Sequence, residues 1–98
     1  MSLSLVIHHP PGNDPLADIA LQDGIWEVAE SHWRLDARSV LVGSDLTAAY
    51  LLEHFRRALA RRGFPDPGLL LVMPVGARFA AIGLPADAAA WLAGMPGG

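Results

Sequence analysis

The order of apolar and polar positions divides this chain into short elements separated by Gly and Pro. Leu3 to His8 is a brief apolar run stopped by His9-Pro10-Pro11, which is how a buried strand reads. Pro15 suits the first turn of a helix and Asp14 suits its N-cap, so a helix is expected over Leu16 to Gln22. The next stretch decides the topology. One helix from Leu16 to Trp33 would scatter Leu16, Leu21, Ile25, Trp26, Val28 and Trp33 around its circumference, with Asp18, Asp23, Glu27, Glu30 and His32 between them. Such a helix has no apolar stripe to bury, and Gly24 inside it would cost about 1 kcal/mol. A break at Asp23-Gly24 removes the conflict. Ile25 to Leu35 then reads as a strand with Ile25, Ala29, Trp33 and Leu35 on one face, while Trp26 and Val28 begin the other.

Asp36-Ala37-Arg38 is short enough for a hairpin, and Ser39 to Gly43 forms the next strand around Val40-Leu41-Val42. Ser44 or Asp45 is expected to cap a helix from Leu46 to Arg62. Ala48, Leu51, Leu52, Phe55, Ala58 and Leu59 share one face of it, with Tyr50, Glu53, His54, Arg57 and Arg61 opposite. Gly63 ends it, and the late arginines complement the helix dipole. Leu69 to Val75 is a fourth strand, with Pro74 near its end because proline cannot donate to a ladder. Arg78 to Leu84 is expected as a fifth strand, and Pro85 starts a helix over Ala86 to Leu92. Residues 1–94 make one domain and 95–98 a flexible tail.

The resulting order is β-α-β-β-α-β plus a terminal strand and helix. Its natural solution is an α/β (α+β) fold of ferredoxin-like type, an antiparallel sheet with two helices on one face. The other face needs cover, from a second subunit or from the terminal elements. The rival topology keeps Leu16 to Trp33 helical in a three-layer sheet.

Composition adds a partner. Apolar residues make up 52% of the chain and charged residues 17%, a surplus that in a small domain is often hidden against another surface. The net charge of −3 argues against a broad nucleic-acid-binding face, though not against a local one. All seven basic residues are Arg. The absence of Cys excludes a disulfide, a zinc-thiolate site and a cysteine nucleophile. The strongest apolar stretch, Leu69 to Val75, is far short of the roughly 18 residues a membrane span requires. Met1 to Ile7 lacks the basic and long apolar regions of a signal peptide, so the cytoplasm is the expected compartment. No cofactor is expected.

Trp26-Glu27-Val28-Ala29-Glu30-Ser31-His32-Trp33, set in this element order, resembles the small ferredoxin-like CRISPR-associated endoribonuclease family and its virulence-associated-protein-D relatives. The resemblance lies in Ser31 followed one residue later by an aromatic, Trp33, in the second strand, and in Ala80-Ala81-Ile82-Gly83-Leu84 with Ala90-Trp91-Leu92 near the end. It implies a symmetric dimer joined through sheet edges or the terminal strand. The family ends its first strand with a metal-binding aspartate; here Ile7-His8-His9 offers no carboxylate, so dimerisation is the property carried over.

Other candidates rest on the residues themselves. His8, His9 and Asp45 are the weak catalytic candidates. Adjacent strand residues point to opposite faces, so His8 and His9 are poorly placed to chelate one metal, and no metal site is expected. Asp45 would approach them if their strand ends share one edge. Arg56, Arg57, Arg61 and Arg62, with Tyr50 and His54, are candidate phosphate contacts, beside the simpler reading as solvated helix surface. Trp26, Trp33 and Trp91 are candidates for an interface or for the core. The expected function is a non-catalytic interaction module acting as a homodimer. The alternative is a nucleic-acid-binding protein or metal-dependent endoribonuclease of the resembled type.

Overall fold

The computed structural model describes residues 2–76 and 80–94. Chain order is β1 (Ser2–His9), α1 (Pro15–Val28), β2 (Ser31–Asp36), β3 (Ser39–Ser44), α2 (Ala48–Arg61), β4 (Leu69–Val75) and α3 (Ala86–Ala93). A single 3-10 turn, Pro11–Asn13, leads from β1 into α1. The strands form one antiparallel sheet in the order β2-β3-β1-β4. The fold is therefore α+β of ferredoxin-like type, with β1 and β3 central and β2 and β4 at the edges.

Helices α1 and α2 cover one face of the sheet. Val6, Val40 and Val42 rise from the strands to meet Ala20, Leu21 and Ile25 of α1 and Leu51, Phe55 and Leu59 of α2. Each large side chain in this core contributes about 1.5–3 kcal/mol by leaving water. Asp14 begins α1 by accepting a hydrogen bond from the Leu16 amide at 2.9 Å, with Pro15 in the first turn. Edge position explains how β4 holds Pro74: it pairs only with β1, so its outer side requires no donor.

The expected break at Asp23-Gly24 does not occur. Helix α1 runs through Gly24 and Trp26 to Val28, so the expected strand from Ile25 shrinks to Ser31–Asp36. The physical reason is the kind of stripe that α1 buries. Ala17, Ala20, Leu21, Gly24 and Ile25 recur at helical spacing, and most of them are small. A Cβ on Gly24 would sit 2.9 Å from the Ala58 Cβ of α2. Gly24 is thus the place where two helix backbones approach too closely for any side chain, and that need outweighs its low helix propensity.

Two smaller expectations also change. Thr47 caps α2, its Oγ1 accepting from the Tyr50 amide at 3.1 Å, and the helix starts at Ala48. Ser44 instead turns the chain after β3, its Oγ accepting from the Leu46 amide at 2.9 Å. The expected fifth strand is not formed over residues 80–84, which contain a positive-φ Gly83; Arg78 and Phe79 lie outside the described residues, as does the expected tail. Helix α3 crosses the second face of the sheet at β2. There the Trp91 indole Nε1 donates to Ser31 Oγ at 2.6 Å.

Candidate interaction surface

Strand pleating sorts the side chains of β1 and β4 onto two faces, and both faces are apolar. Leu3, Leu5 and Ile7 alternate with Ser4, Val6 and His8, while Leu69, Leu71, Met73 and Val75 alternate with Leu70, Val72 and Pro74. Val6 faces the helices, and its cross-strand partners Val40 and Val72 do too. The opposite set therefore faces away from α1 and α2. Helix α3 and residues 80–84 cover one end of that second face. A mainly apolar cavity of about 240 Å³ remains there, lined by Leu3, Leu5, Leu35, Leu41, Val75 and Leu92 among others. Beyond the cover, Leu69 is 53% exposed, Leu71 38% and Met73 39%. None of these outward residues carries a charge.

The histidine candidates serve different ends. His8 is buried on the helix side, whereas His9 is exposed. His8 Nε2 lies 3.1 Å from the Pro67 carbonyl oxygen, so that nitrogen carries the proton and donates. Its Nδ1 faces Asp18 Oδ1 at 3.5 Å, and Asp18 is held by Arg38 at 3.2 Å. Burial pushes the His8 pKa below the usual histidine value of 6.5, against the Pro67 bond and the Asp18 charge, which raise it. His8 thus fastens the segment before β4 to the end of β1.

Asp45 does not approach His8. Because β1 and β3 are antiparallel, the end of β3 lies beside the start of β1, with Ser44 opposite Ser2. His8 is six residues further along β1, about 20 Å away at strand spacing. Among the described residues no group of three His, Asp or Glu side chains is arranged to hold a metal ion.

The helix arginines are all ion-paired. Arg56 Nε donates to Glu53 at 2.9 Å and Arg57 Nε at 3.1 Å. Arg61 and Arg62 reach Glu27 of α1 at 3.5 and 3.4 Å. The Arg56 hydrogen bond leads in lowering the Glu53 carboxyl to about 2. Tyr50, Glu53, His54 and Arg57 line a small recess of about 120 Å³. His54 Nε2 lies there 4.0 Å from Glu27 Oε1. The basic cluster is thus largely neutralised in place.

The three tryptophans occupy three elements. Trp91 locks α3 to β2, Trp33 is half-buried on β2, and Trp26 stands 68% exposed on α1. Trp26 meets His32 edge to face, with ring centroids 4.7 Å apart at 79°. Gln22, Trp26, His32, Trp33 and Arg34 line a shallow recess of about 420 Å³ at the β2 edge. Sequence reasoning did not single out Gln22 or His32 as site residues, nor the outward leucines. The usable signal for the leucines was period two in strands whose intervening residues are apolar as well. The misplaced helix end hid the recess: the expected strand from Ile25 spread Trp26 and His32 along one strand, whereas α1 carries Trp26 back beside His32, with Gln22 on the same helix.

No helix among the described residues is long and apolar enough to cross a membrane. No protein-family model, curated protein or solved structure matches the chain. The class is therefore defined by topology alone: a small α+β protein of ferredoxin-like type, with one sheet face under two helices and the other partly open.

Proposed function

We propose that this protein is a non-catalytic interaction module that pairs with a second copy of itself through the open face of its sheet. One observation carries this reading. The outward side chains of β1 and β4, from Leu5 and Ile7 to Leu69, Leu71 and Met73, form an uncharged apolar surface that α3 leaves partly exposed. A large exposed apolar patch on a small domain marks an interaction site. Two copies related by a twofold axis would bring the same patch together. With no charge on it, self-pairing meets no like-charge repulsion. Two sheets so packed form a sandwich about 10 Å thick, the usual spacing for interdigitating side chains.

The test is the mass of the particle in solution. Gel filtration with light scattering at micromolar concentration should give twice the chain mass of 10.4 kDa. Met73→Glu, at a site exposed enough to leave folding intact, places two carboxylates against each other and should weaken the dimer by on the order of 100-fold or more. A wild-type protein that is strictly monomeric under these conditions refutes the proposal. So does a dimer that Met73→Glu leaves unchanged.

A further inference from the structure

The recess at the β2 edge is built mainly from the helix side of the sheet and has its own chemistry. Trp26 offers a largely exposed indole, steadied by the edge-to-face contact with His32. His32 Nε2 lies 3.2 Å from the side-chain amide nitrogen of Gln22, and the Gln22 carbonyl oxygen accepts from Arg34 at 2.7 Å. A second Arg34 nitrogen donates to the Asp36 carbonyl at 3.1 Å. The side chains from Trp26 to Arg34 therefore hold one another in a single arrangement, the preorganisation that a binding site needs. Every other arginine among the described residues lies within ion-pair distance of a carboxylate; Arg34 alone does not. A largely exposed aromatic face, beside a guanidinium with no carboxylate among the described residues in ion-pair distance, complements a flat ring that bears an anion.

We infer that the recess lined by Gln22, Trp26, His32, Trp33 and Arg34 binds a nucleotide, its base stacked on Trp26 and its phosphate against Arg34. Stacking on an indole is tolerant of base identity because every base has a π face. A guanidinium is well shaped to receive a phosphate. The same chemistry is presented by a free mononucleotide and by one unpaired residue of a single strand, and the experiment separates these sources.

The full chain is titrated at low salt with adenosine monophosphate and, separately, with short single-stranded oligoadenylate, following tryptophan fluorescence under selective excitation. A saturable quench is expected. Trp26→Ala should weaken binding about 5- to 150-fold, the range of one stacked base. Arg34→Gln should weaken it and lower the slope of log affinity against log salt by about 0.7, the value of one strand phosphate. Circular dichroism of each variant shows that the fold is kept, and Trp26→Phe, which restores a stacking ring, should recover part of the affinity. Tighter binding of the oligonucleotide identifies a single strand as the source; equal binding identifies the free nucleotide. The inference is overturned if neither probe gives a saturable change, if Trp26→Ala binds like the wild type, or if inorganic phosphate alone competes as well as the nucleotide.

Discussion

Replacing Gly24 by Ala sets two effects of opposite sign against each other at one atom. In an unconstrained helix interior the change stabilises by about 1 kcal/mol, because alanine loses less backbone freedom on folding. Here the new Cβ would stand 2.9 Å from the Ala58 Cβ, well inside the 3.5–4.0 Å at which two carbons attract. Ala58 has no flexible side chain to swing away, so the α2 backbone must move, and with it the buried Phe55 and Leu59. Overpacking of this kind typically costs about 1–3 kcal/mol. The balance is a net loss of about 1 kcal/mol for Gly24→Ala. Ala58→Gly alone should also lose about 1 kcal/mol, through helix propensity and a missing methyl. The double variant moves the methyl from one helix to the other and should be more stable than the sum of the two losses implies, by about 1 kcal/mol or more. Urea unfolding followed by circular dichroism, at one fixed protein concentration, measures all four corners of the cycle. A Gly24→Ala protein more stable than the wild type would refute the close approach, as would strict additivity.

Two further outcomes follow from the loop that precedes β4. Burial lowers the pKa of both His8 and His32 below 6.5, so each is favoured neutral in the folded state. The unfolded chain then takes up protons first; stability is complete above 6.5 and declines as pH falls from there toward the folded values. In His8→Gln, whose amide can still donate to the Pro67 carbonyl, that decline should be shallower when unfolding free energy is measured across the mildly acidic range, and an unchanged slope would contradict the assignment. Gly68 has a φ of 69°, and a Cβ there would overlap the His9 carbonyl oxygen and the Pro11 ring. Gly68→Ala should therefore lower stability by about 3 kcal/mol, from left-handed backbone strain and steric overlap together; a loss below about 1 kcal/mol would show that the loop simply shifts aside.

Much of the architecture was legible because strands and one helix announced themselves locally. Val40-Leu41-Val42 and Leu69 to Val75 are strands by length and branching, and α2 separates Leu51, Phe55 and Leu59 from Tyr50 and Arg57. The end of α1 was hidden because its buried stripe is built from Ala17, Ala20 and Gly24, while the large Leu16, Ile19 and Trp26 stand outside. Counting large apolar residues therefore found no buried face at all. Only the partner helix, through Ala58, explains why small residues line it. The His8 network was illegible for a similar reason, since Asp18, Arg38 and Pro67 come from three distant segments. Likewise, a terminal tryptophan gives no sign in sequence that its indole nitrogen will reach Ser31.

Pro74 limits how this molecule can multiply. An outer strand with a complete row of amide hydrogens invites another chain to lengthen the sheet, and each addition presents a fresh rim, so growth into fibrils has no natural end. On β4 that row is interrupted by a ring with no hydrogen to give. The proposed face-to-face contact would, in contrast, consume the apolar surface of both molecules at once and stop at two.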